Sequence, residues 1–128
     1  MTALRWPRFW LGLWIFGMLL GAYLSLRTGS ERVPLIPHLD KLIHASGYAL
    51  LAVLAVGLFP PGKFRWLALL WLVAFGGLIE IAQGLWAVNR AADPWDLLAN
   101  SLGIALAAAV FWHRNALVMI ERLFSGVH

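Results

Sequence analysis

Nine polar side chains stand at helical spacing in an otherwise apolar chain: Asp40, Lys41 and His44, then Glu80 and Gln83, then Arg90, Asp93, Asp96 and Asn100. Carboxylates and an imidazole can serve as general bases or hold a divalent cation through oxygen and nitrogen. Lys41 and Arg90 are suited to a phosphate, and Glu80, Gln83 and Asn100 to sugar hydroxyls or amines. With all groups ionised, four carboxylates (Asp40, Glu80, Asp93, Asp96) face two cations (Lys41, Arg90), a net −2 that suits a cation better than a bare anion. No H-E-x-x-H ligand motif is present. Ser46 follows His44 by two residues and so points to another helical face, which leaves no recognisable nucleophile pair.

The spacing gives these residues a shared direction. Asp40 and His44 are i, i+4, Glu80 and Gln83 are i, i+3, and Asp96 and Asn100 are i, i+4, so each pair occupies one helical face. The same faces continue into Gly47, Gly76, Gly103 and Ala107, and small residues let helix backbones approach closely in lipid. The polar groups are therefore expected between helices. Glu80 is the sharpest of them, roughly six residues or about 9 Å inside its apolar run. A charge at the centre of a spanning helix costs about 2.5–3.5 kcal/mol, and such residues usually mark a functional site. Blander readings stand beside this one. Glu80 could fix helix register by pairing with Arg90, and His44 could bond a neighbouring carboxylate or carbonyl. Asp93-Pro94-Trp95-Asp96 reads as N-cap, proline at N1 and acid at N3, and Asn100 could be interhelical glue.

The elements that must position these groups are membrane helices. Of the 128 residues, 62% are hydrophobic and 12% charged, against about 25% charged in a soluble domain. Four apolar runs, Phe9–Leu26, Leu42–Phe59, Trp66–Trp86 and Asp96–Trp112, each suit a hydrocarbon core of about 30 Å. In lipid they must be helices, since they are too long and continuous for barrel strands. Pro34 and Pro37 precede the second, Pro60-Pro61-Gly62 ends it, and Pro94 starts the fourth. The expectation is a single all-α domain over residues 1–128, an integral membrane four-helix bundle. The first run is expected to be a retained anchor, because it is longer than a signal-peptide core and no A-x-A-like site follows it. The chain carries a net charge of +4, but its basic residues are scattered, which argues against nucleic acid. It has no cysteine, which excludes disulfides and thiolate chemistry.

Lysine and arginine counts orient the helices. Arg5, Arg8, Lys63, Arg65, Arg114 and Arg122 share one side, and Arg27, Arg32, Lys41 and Arg90 the other, which favours both termini in the cytoplasm. Trp6, Trp10, Trp66 and Trp112 then cluster at the inner interface and Trp86 and Trp95 at the outer one, read as lipid-interface anchors. The polar cluster falls near the outer face. The first helix, with Gly17 and Gly21 but no interior charge, is read as scaffold.

The ordered set Asp40-Lys41-x-x-His44-x-x-x-Tyr48, Glu80-x-x-Gln83, Arg90, Asp93-x-x-Asp96-x-x-x-Asn100-x-x-Gly103 resembles the VanZ-like membrane protein family, over about residues 38–107. That resemblance implies a bacterial inner or plasma membrane protein with a cell-envelope role. The family's founding member is an accessory to glycopeptide resistance. The resemblance does not by itself imply a reaction, and it leaves the cofactor unknown. Four readings remain open. The first is an accessory protein binding an envelope lipid or cell-wall precursor head group. The second is an intramembrane hydrolase or transferase acting on a lipid-linked substrate. The third is a proton-coupled carrier, for which four helices would call for a homo-oligomer. The fourth is a structural partner in a larger complex.

Overall fold

The computed structural model describes residues 4–26, 39–86 and 94–126. Among the described residues five helices follow one another: α1 (Pro7–Leu26), α2 (Leu39–Leu58), α3 (Lys63–Trp86), α4 (Pro94–Phe111) and α5 (Ala116–Ser125). There are no strands among the described residues. The local causes are legible in the chain. Proline opens α1 and α4, where its missing N–H is no loss. The α2 helix stops at Leu58 because Pro60 and Pro61 cannot continue it. Gly62 takes a φ of +134° in the turn that follows, a region that side-chain-bearing residues avoid.

The fifth helix lies beyond the four expected runs. The Asn115 side chain caps it, accepting from the backbone N–H groups of Leu117 and Val118 at 3.1 and 3.2 Å, and Gly126 ends it in the left-handed conformation at φ +62°. The α5 axis is bent by 63° from that of α4.

Side-chain contacts fix the relative directions. The Trp14 indole N–H donates to Leu51 O at 3.1 Å, and its ring meets that of Phe59 at 5.5 Å. The Trp71 indole reaches Met18 Sδ at 3.2 Å, and Gln83 Nε2 donates to Ser25 O at 2.8 Å. Thus α1 and α3 run the same way. The α2 and α4 helices run opposite to them, side by side, and make the most extensive helix pair.

Leu72, Val56 and Leu117 are buried as deeply as the core alanines, but most of the large apolar side chains stand outside. Ala52 and Ala55 are fully buried, while Leu19, Leu70 and Leu106 are each more than 60% exposed. Small residues between helices and large apolar ones outside are what lipid, as solvent, selects. Among the described residues two helices, Pro7–Leu26 and Lys63–Leu85, are long and apolar enough to cross a membrane. The bent pair Trp95–Phe111 with Ala116–Ser125 makes a third if it forms one span, and Leu42–Leu58 is a shorter apolar helix.

Not every tryptophan is a lipid anchor. Trp10 and Trp14 are each only 7% exposed, and both indole N–H groups are used inside the protein. Gly47, expected in the packing stripe, has open space where a Cβ would stand.

Candidate functional site

The α2, α3 and α4 helices bring the described members of the expected polar set, His44, Glu80, Gln83, Asp96 and Asn100, to one end of the molecule. Glu80 and Gln83 share a face of α3, one to two turns from its end, and are 7% and 3% exposed. Asp96 and Asn100 share a face in the first two turns of α4, at 8% and 4%. His44 and Tyr48, one turn apart on α2, are half-buried.

Two glycines draw the walls together. A Cβ on Gly76 would lie 3.4 Å from both Asn100 Nδ2 and the Tyr48 ring, which puts those side chains across a narrow seam from α3. A Cβ on Gly103 would collide with the carbonyl oxygen of Ala45, beside His44. Glu80 is near enough to Tyr48 for its charge to act on the phenol. Gln83 is anchored to the last turn of α1 through Ser25 O, so α1, read as scaffold, also reaches the site's edge.

Within this seam, Asn100 Oδ1 and His44 Nδ1 are buried with no hydrogen-bond partner among the described residues. Buried polar atoms are nearly always paired, so each such exception calls for an explanation. Asn100 Oδ1 is an acceptor, and so is the Glu80 carboxylate when ionised. The described walls thus favour a group that donates, a hydroxyl or an amine. Among the described residues, no three His, Asp or Glu side chains gather as a metal site would require. Ser46 is exposed, its hydroxyl donating to Leu42 O at 2.8 Å, away from the seam. The Asp40 and Lys41 side chains, at the start of α2, and Arg90 and Asp93 lie outside the described residues.

A second buried polar constellation stands at the opposite end, and of its members only Arg65 enters the charge count that orients the helices. Arg65 is 4% exposed. Its Nε donates to Phe59 O at 2.8 Å, Nη1 to Trp112 O at 2.8 Å and Nη2 to Val56 O at 2.7 Å, with its guanidinium 4.8 Å from the Trp112 ring centre. Asn115 Nδ2 takes Gly57 O at 3.1 Å. Arg65 thereby satisfies orphan carbonyls where α2 and α4 end, the place where helix dipoles favour a cation.

Glu121 is the other member, 3% exposed. It accepts from the backbone N–H groups of Arg5 and Trp6 at 2.7 and 3.1 Å and from the Trp10 indole at 2.7 Å. The signal for it was a lone acid in a basic C-terminal stretch. Glu121→Ala is expected to leave these three donors without their acceptor and to free the N-terminal segment. Amide hydrogen exchange at Arg5 and Trp6 should accelerate by about tenfold or more; unchanged exchange would show that Glu121 does not hold that segment.

Comparison of the chain with known protein families, characterised proteins and solved structures gives no match.

Proposed function

We propose that this chain is a VanZ-like bacterial inner-membrane protein. In this reading four helices cross the bilayer, both termini are cytoplasmic, and the seam between α2, α3 and α4 receives the head group of an envelope lipid or cell-wall precursor. The protein acts as an envelope accessory factor. The observation that carries this reading is the pair of buried, unpartnered atoms, Asn100 Oδ1 and His44 Nδ1, in the seam with Glu80. The ligand groups that answer them are hydroxyls and amines, and Lys41 and Arg90 are the cations available for a phosphate.

Lipid extracted from purified protein and analysed by mass spectrometry tests the proposal. The wild type should be enriched in one lipid whose head group carries hydroxyl or amine donors. Asn100→Ala should lower its retention by about five- to tenfold, the weight of one buried hydrogen bond. No head-group enrichment in the wild type, or equal enrichment in the variant, would sink the reading. A stoichiometric divalent ion lost on Glu80→Ala would instead favour the hydrolase or transferase. Reporter fusions at the C-terminus check orientation, since an extracytoplasmic C-terminus would turn the seam towards the cytoplasm.

A further inference from the structure

The end opposite the polar seam carries an open groove of about 940 Å³ between the N-terminal segment and α5. Trp6, Trp10, Leu13 and Phe124 supply apolar walls, and Arg5 and Arg8 stand in the same lining. Phe124 is 82% exposed, as is its neighbour Leu123. No described part of the chain covers this apolar surface. An unpartnered apolar groove alone names no occupant, but the charge around this one does.

Arg5, Arg8, Lys63, Arg114 and Arg122 are all exposed, and the helix directions put them at this end. Glu121 is the one carboxylate among the described residues there, and its oxygens are engaged by three N–H donors. The face therefore presents cations in excess of its one described carboxylate, which is coupled to Arg5, beside bulky apolar side chains. That combination binds anionic lipid at a bilayer surface. The bend of α5 away from α4 carries Leu123 and Phe124 out of the line of the spanning helix.

We propose that this groove seats one anionic phospholipid of the surrounding bilayer. An acyl chain lies along Trp6, Leu13 and Phe124, and Arg5 and Arg8 receive the phosphate. Glu121 holds the wall in place by tying residues 5, 6 and 10 to α5. This site is independent of the head-group seam, which lies at the other end of the helices and is lined by acids and amides.

Native mass spectrometry of the full chain, released from nanodiscs of equal parts phosphatidylglycerol and phosphatidylcholine, tests the assignment. The wild type should retain one phosphatidylglycerol in preference to phosphatidylcholine. Arg5→Gln combined with Arg8→Gln should reduce that preference by roughly thirtyfold, the weight of two interfacial cations. Both side chains are exposed, so the fold should survive, and Asn100-dependent retention at the other end should be unchanged. Lys63→Gln with Arg114→Gln keeps the groove and removes the same charge; its preference should stay close to wild type. Equal loss in the two double variants would reveal diffuse surface charge and overturn the seat. So would equal retention of both lipids by the wild type, or a dimer that carries no lipid.

Discussion

Replacing Arg65 by methionine is expected to destabilise the protein by about 3–5 kcal/mol, since three carbonyls at a buried helix end lose their donor and each such loss costs about 1–3 kcal/mol. The side chain sits where two helices end. Its three donors meet Val56 O, Phe59 O and Trp112 O, and methionine fills similar space while offering none of them. Arg65 is only 4% exposed, so little water can reach these carbonyls in its place. Arg65→Lys keeps the charge but replaces a rigid planar fork by one compact ammonium. Lysine should therefore recover part of the loss and not all of it. Unfolding in detergent, followed by tryptophan fluorescence, measures the series. Equal stability of the methionine variant and the wild type would show that these carbonyls find other partners.

Arg65 also shows where reading the chain alone stops. Its type and position are visible, and lysine and arginine counts use it only as a charge on one side of the helices. Nothing in the local sequence says that it folds back into the protein. That follows only from the turn at Pro60-Pro61-Gly62, which starts α3 against the ends of α2 and α4. Glu121 escaped notice for the same reason, since its donors are more than a hundred residues away in the chain. By contrast, Glu80, Gln83, Asp96 and Asn100 were legible as interior groups. Period-four spacing beside glycine is a local signal, and all four are buried. The meeting of Asn100 with Tyr48 across Gly76 rests on helix order, which the local sequence does not state.

The tryptophans mark a second limit. Composition assigns them to the lipid interface because most membrane tryptophans are found there. Trp66 and Trp112 meet near one end of the helices, their ring centres 5.2 Å apart and their planes tilted by 47°. Trp10 and Trp14 differ only in register: each lies on the face of α1 that meets α5 or α2, where an acceptor waits for the indole N–H. A helix as uniformly apolar as α1 leaves no periodic signal to tell its inner face from its outer one.

Gly103→Ala is expected to cost about 3 kcal/mol or more, at the upper end of the range for overpacking, although alanine is ordinarily the better helix former. A Cβ at this position would collide with Ala45 O and stand 3.1 and 3.3 Å from the carbonyl carbon and Cα of Ala45. These are backbone atoms of another helix, so no side chain can swing aside; α2 and α4 would have to separate. That movement opens the seam directly, because Ala45 adjoins His44 and Gly103 follows Asn100 by one turn. The variant should therefore lose both stability and the head-group retention proposed for the site. The matched control is Gly47→Ala on α2, where the new methyl would meet nothing within 4 Å and where removing glycine should be neutral or stabilising by up to about 1 kcal/mol. The two substitutions are chemically identical and differ only in what lies beyond the Cβ. Equal effects in thermal unfolding would mean that the α2–α4 crossing is not the close backbone contact described, and the walls of the seam would have to be redrawn.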